Sequence, residues 1–180
     1  MGIPGALHRA LLFFPADVIY FPRKDEICRE VLPVGPVITT IIRVRYGETD
    51  QMGVAYYGNY LSWFEIGRTE FCRSLSSPYR EWEKQGVFLP AVEAYVRYKN
   101  PLRYDERVLI KTSIREVTSH SITFDYRVMP EERSRLAAEG WTRHAFCGPD
   151  GRLLREPEPF HSWLKEISRS SLEEVVQREQ

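Results

Sequence analysis

Residues Arg43 to Arg73 read R-V-R-Y-G-E-T-D-Q-M-G-V-A-Y-Y-G-N-Y-L-S-W-F-E-I-G-R-T-E-F-C-R and hold three kinds of local order in succession. The first is alternation. Ile42, Val44 and Tyr46 fall on one side of an extended chain, and Ile41, Arg43 and Arg45 on the other, which is the period of a strand. The second is a loop, Gly47 to Gly58, with two carboxylates (Glu48, Asp50), Gly53 and the paired tyrosines Tyr56 and Tyr57. The third is a helix over about Asn59 to Leu75. In it Tyr60, Phe64, Gly67, Phe71 and Leu75 recur every three or four residues and share one face.

Working outward, the first strand spans Ile38 to Tyr46. After the helix, Ser77 is placed to cap a second, short helix over about Tyr79 to Gln85, with Pro78 at its first position and Gly86 as its terminator. Four further strands follow: Ala91 to Lys99, Arg107 to Val117, Ser121 to Met129 and Leu136 to Cys147. Their in-out alternation suits half-buried antiparallel strands. The Gly148–Gly151 segment is a turn. A strand, a long helix and then a run of strands make an α+β fold, a curved antiparallel sheet of about five strands around one central helix. Gly67 in mid-helix costs about 1 kcal/mol against alanine, and a close approach of sheet to helix explains it.

The chain of 180 residues suffices for one domain with its own core. Its organisation reads as an N-terminal extension (1–36), a central domain (37–162) and a polar, helical C-terminal tail (163–180). The extension is broken by prolines and ends in a linker-like stretch, Val31 to Val37. It reads as a disordered arm, a short docked helix or an overlong gene start. Basic and acidic residues balance at 25 each, with no basic block, which argues against nucleic acid as the main partner. No apolar run approaches the roughly 20 residues of a membrane-spanning helix. The cysteines Cys28, Cys72 and Cys147 are odd in number and widely spaced, which fits free thiols in a reducing compartment, the cytoplasm. His8, His120, His144 and His161 show no metal-ligand spacing, and no metal site is expected.

The run E-T-D-x-M-G-V-x-Y-Y-x-N-Y-L-x-W-F-E-x-x-R-T-E resembles the 4-hydroxybenzoyl-CoA thioesterase family of hotdog-fold acyl-CoA hydrolases, the YbgC-like branch in particular. The likeness continues through L-P-A-V-E, R-Y-x-x-P-L-R-Y-D-E and T-R-H-A-F-C-G-P-D-G-R, and covers roughly residues 40 to 160. It implies the hotdog fold, hydrolysis of an acyl-CoA without a cofactor, and a homodimer or homotetramer with the site between subunits. Acyl carrier protein is an alternative thioester donor.

By itself, Asp50 in D-Q-M-G reads as a turn residue bonded to its own backbone. The resemblance puts it on the family's catalytic carboxylate, where it would take a proton from water or attack the thioester directly. A long helix beginning near Tyr57, Gly58 and Asn59 offers unpaired N–H groups to the carbonyl oxygen. Tyr57 stands where some family members have histidine, but its backbone donor is independent of the side chain. Tyr46 walls the pocket, hydrogen-bonds the carboxylate or packs in the core. Asn59 reads as a cap, with contact to the substrate as the alternative, Glu48 as solvated, and Glu65 with Arg68 as a helical pair. His144 reads as structural. Arg80, Lys84, Arg97, Lys99, Arg103 and Arg107 are candidates for the coenzyme A phosphates. Trp63 and Phe64 would favour an aromatic acyl group or fill the core. Two rivals stand: a hotdog dehydratase acting on 3-hydroxyacyl thioesters, disfavoured by the absence of histidine from the Asp50 loop, and a hotdog that binds acyl-CoA without cleaving it.

Overall fold

A computed structural model describes residues 35–132 and 135–169. The extension, apart from Gly35 and Pro36, lies outside the described residues, as do Cys28 and the tail beyond Arg169. The elements are β1 (Ile38–Arg43), α1 (Asn59–Ser74), α2 (Tyr79–Lys84), β2 (Ala91–Tyr98), β3 (Arg107–Val117), β4 (Ser121–Pro130), β5 (Ala138–Ala145) and α3 (Phe160–Arg169). The five strands form one sheet in the order β1-β3-β4-β5-β2, antiparallel throughout.

The expected face of α1 is the one that packs on the sheet: Tyr60, Phe64, Gly67 and Phe71 are buried, together with Trp63 and Cys72. Phe64 stacks on Tyr126 of β4 at 4.2 Å between centroids, and Phe71 meets Phe124 edge-on at 5.8 Å. Trp63 and Phe64 are therefore core residues. A Cβ at Gly67 would lie 2.5 Å from Thr112 Oγ1 and 2.8 Å from Ile110 Cγ2, so helix and sheet do touch there. Gly140 of β5 serves the same contact from the other side, with Phe64's ring 2.8 Å from where its Cβ would be.

Three expectations change. β1 stops at Arg43 rather than Tyr46 because its partner gives out: Arg43 opposes Arg107, the first residue of β3. Beyond that pair the chain turns through Asp105, at φ +69°, and residues Tyr46–Glu48 coil into a single 3-10 turn. Val44 remains buried, whereas Tyr46 is left 80% exposed. Second, Pro78 rather than Ser77 occupies the N-cap of α2, and the Ser77 hydroxyl instead accepts the Trp82 indole N–H at 2.8 Å. The helix ends as expected at Gly86, φ +79°, where the Gly86 and Val87 amides close onto the Glu83 and Trp82 carbonyls. Third, the C-terminal helix is not a mere tail. Phe160, Leu164 and Ile167 are buried, and Phe160 stacks on Trp82 at 4.7 Å.

β2 departs from half-buried alternation. Its first five residues, Ala91 to Tyr95, are all exposed, and among the described residues β5 is its one neighbour in the sheet. Among the described residues no helix is long and apolar enough to cross a membrane.

Candidate active site

The loop between β1 and α1 is built on short-range geometry. Asp50 and Val54 close a tight turn, with the Asp50 N–H on the Val54 carbonyl at 2.9 Å and the Gly53 N–H on the Asp50 carbonyl at 2.9 Å. Gly53 has φ +71°, a left-handed conformation that glycine adopts freely. Thr49 and Ala55 pair across the base of this turn. Asp50 behaves locally as a turn residue: its Oδ1 accepts the Met52 N–H at 2.8 Å and the Val54 N–H at 3.4 Å. Its Oδ2 has no hydrogen bond among the described residues, and the side chain is half-exposed. One oxygen is thus fixed by the fold while the other is open.

The loop is fastened to α1 by contacts the sequence alone did not mark. Glu48 is not solvated. Its Oε2 accepts the Arg45 N–H at 2.8 Å and its Oε1 the Trp63 indole N–H at 3.2 Å. Its carbonyl accepts both the Tyr56 N–H and the Asn59 side-chain amide, each at 2.8 Å. Asn59 accordingly ties helix to loop instead of capping the helix. Gly58 holds the cap position, with no side-chain cap. The Tyr98 hydroxyl, from β2, donates to the Tyr57 carbonyl at 3.0 Å. These bonds join residues up to 41 positions apart, and local periodicity carries no sign of them.

At the start of α1 the Asn59 and Tyr60 amides are taken, by the Tyr56 and Tyr57 carbonyls. The Tyr57 and Gly58 amides have no acceptor among the described residues. The usable donors are these two, at the positive end of a 16-residue helix. Asn59's backbone drops out of the expected donor set.

Tyr46 lies in the 3-10 turn with its ring edge against Tyr104 at 5.6 Å, and no hydrogen bond joins it to Asp50. It stands as an exposed tyrosine beside the loop, with Tyr56, Tyr57, Tyr98 and Tyr104 also exposed. Of the basic candidates, Lys84, Lys99 and Arg107 are paired with Glu81, Glu139 and Glu131. Arg103 comes to the loop itself, its Nη1 3.5 Å from the Gly53 carbonyl. Glu65 and Arg68 do not pair, and Arg68 turns inward instead. His144 is buried in β5, where its ring meets Thr142, the Leu89 carbonyl and Arg68.

The sequence profile of the Thioesterase-like superfamily matches residues 44–168. The putative acyl-CoA thioesterase YneP of Bacillus subtilis is 41% identical over 87 residues, which are 48% of this chain and 63% of YneP. The acyl-CoA thioesterase YbgC of Haemophilus influenzae is 32% identical over 125 residues, 69% of this chain and 88% of that protein. Among solved structures, the DHNA-CoA thioesterase of Staphylococcus aureus superposes with a TM-score of 0.68 at 30% identity, covering 80% of this chain and 95% of the other. The loop that carries Asp50 and the helix that follows it both fall inside the matched residues 44–168. The chain belongs to the thioesterase-like superfamily, and its five-stranded sheet on one long helix is the hotdog fold.

Proposed function

We propose that this chain hydrolyses acyl-CoA thioesters to free acid and coenzyme A, with Asp50 activating the attack and the Tyr57 and Gly58 amides holding the carbonyl oxygen. One observation supports this above the rest. A single braced loop carries a carboxylate oxygen and leads directly into two helix-terminal amides, all three without a partner among the described residues. Asp50 takes a proton from water as the water oxygen bonds to the thioester carbon. Charge moves onto the carbonyl oxygen, where the two N–H groups and the helix dipole meet it. Collapse breaks the C–S bond, and coenzyme A leaves as a thiolate and takes up the proton. Direct attack by Asp50 through a mixed anhydride is the other route. Incorporation of ¹⁸O into Asp50 during a single turnover in ¹⁸O-water identifies the anhydride route, since general-base attack leaves the carboxylate unlabelled.

Relatives named as acyl-CoA thioesterases support coenzyme A as the carrier. Acyl carrier protein would present the same bond. Arg103, beside the loop, is our choice for a phosphate contact. The free, buried thiols of Cys72 and Cys147 suit the cytoplasm. A thiol-release assay over short, long and aromatic acyl-CoAs tests the activity. Turnover of at least one is expected, whereas tight binding without release of thiol contradicts it.

We further infer a homo-oligomer formed through β2. A bare edge strand with five successive exposed residues is a template for pairing, and a twin copy related by a two-fold axis would continue the sheet. Light scattering at 21.1 kDa for an active preparation would contradict this.

A further inference from the structure

We propose that Arg68 is a specificity-determining residue that receives a carboxylate at the far end of the substrate's acyl group. This rests on the thioester-hydrolase reading above and names the substrate class within it: acyl-CoAs whose acyl chain ends in a carboxylate.

The starting point is a buried polar chain beneath α1. Tyr126 Oη lies 2.8 Å from Thr142 Oγ1, which lies 2.8 Å from His144 Nε2. On the other side of the ring, two groups converge on Nδ1: the Leu89 carbonyl at 3.0 Å and Arg68 Nη1 at 3.3 Å. A carbonyl can only accept and a guanidinium can only donate, so one nitrogen cannot serve both. The shorter contact gives a consistent assignment. Nδ1–H donates to Leu89, Nε2 accepts the Thr142 hydroxyl, and Thr142 accepts the Tyr126 hydroxyl. Every member is then satisfied except Arg68, whose Nη1 faces an N–H.

Arg68 is half-buried, and no carboxylate pairs with it among the described residues. Its remaining neighbour is the face of Tyr79, 5.5 Å from Cζ to centroid. The groups that feel its charge include Cys72, Tyr79, Tyr126 and His144, all neutral. Glu65, three residues back, is exposed and does not reach it. A guanidinium carries five donors, and those of Arg68 that meet no acceptor among the described residues are open to an anion. The arrangement is complete once a planar acceptor pair is supplied.

Its position says where that anion comes from. α1 is related to β2 at two points. At one end Tyr57, with its open amide, is bonded to Tyr98. At the other, Arg68 reaches His144, which lies opposite Ala91 at the start of β2. Leu61, Glu65 and Arg68 share one face of α1 at i, i+4 and i+7. Between the ends, Leu61 is 45% exposed and Ala94, on the Tyr98 side of its strand, is also uncovered. An acyl group whose carbonyl sits at Tyr57 and Gly58 has this strip to follow. Nine helix positions separate Asn59 from Arg68, about 14 Å, and the arginine side chain spans part of that.

The test uses the full chain and matched substrates: adipoyl- against hexanoyl-CoA, and suberoyl- against octanoyl-CoA. We expect kcat/KM at least tenfold higher for the carboxylate member of one pair. Arg68→Met should lower that ratio at least tenfold, and Arg68→Lys should keep part of it. A wild-type protein without preference overturns the proposal, whether or not the variants fold. So does an unmoved ratio in Arg68→Met. If light scattering shows Arg68→Met falling to monomer, the anion belongs to a second copy, and the proposal also fails. If no acyl-CoA is turned over, the hydrolase reading fails separately. Calorimetric binding of suberate over octanoate, lost in Arg68→Met, would still uphold the site, and its absence would not.

Discussion

Trp63 and Glu48 lock the candidate site to the core. The indole N–H of a fully buried tryptophan donates to Glu48 Oε1 at 3.2 Å, while the other carboxylate oxygen takes the Arg45 amide. A side chain of the helix thus fixes the loop that carries Asp50, with the Glu48 carbonyl holding Tyr56 and Asn59 on the same side.

Replacing Glu48 with alanine should leave the indole N–H buried and unpaired, a loss of about 1–3 kcal/mol. The loop would also lose its register against the helix terminus, and kcat should fall by roughly ten- to a hundredfold. Thermal melting and steady-state kinetics on the same preparation check both. An unchanged melting temperature would mean that the brace is not carrying the loop.

Gly67→Ala should be destabilising even though alanine is the better helix former by about 1 kcal/mol. The new methyl would meet Thr112 and Ile110 well inside contact distance. Overpacking of this kind costs about 1–3 kcal/mol, visible as a lower urea midpoint. A raised midpoint would show that helix and sheet can separate freely.

Thr112→Val acts on the same contact with the opposite sign. The Thr112 hydroxyl is buried with no partner among the described residues, and valine keeps the shape without the polar atom. Stability should be unchanged or higher by about 1 kcal/mol. A loss above that size would indicate that the hydroxyl has a bonding role.

The same contact marks what could be read from the sequence. The helix face, the five strands and the Gly67 approach follow from periodicity and from one misplaced glycine. Glu48 and Arg68 do not, because each answers to a partner far along the chain: Trp63 is 15 residues away and His144 is 76. The end of β1 was hidden for the same reason. Alternation continues to Tyr46, but a strand lasts only as long as its partner, and β3 starts at Arg107. The motif marked Asp50, while the division of labour between its two oxygens needed the turn geometry.

Acid should weaken the fold through His144. Burial, reinforced by the Arg68 charge, holds its pKa down to about 4, against 6.5 for a free imidazole. The folded state therefore favours the neutral ring. That contribution is full above pH 6.5, shrinks as pH falls toward 4, and is gone below it, a change on the order of 3 kcal/mol. Urea unfolding at pH 7 and pH 4.5 should show a smaller pH loss in His144→Gln than in the wild type. Equal losses would place the acid sensitivity elsewhere.

Asp50→Asn tests the catalytic assignment most directly. Asparagine keeps an oxygen where Oδ1 accepts the Met52 and Val54 amides, so the turn and the melting temperature should hold. What is lost is the open oxygen's ability to take a proton or attack. Such groups contribute about 10²–10⁴-fold, or roughly 3–5 kcal/mol of barrier. The expected result is kcat lowered a hundredfold or more at unchanged melting temperature and nearly unchanged substrate affinity. A folded variant that keeps more than about a tenth of wild-type kcat, outside that range, would contradict it and leave Asp50 as a turn residue alone.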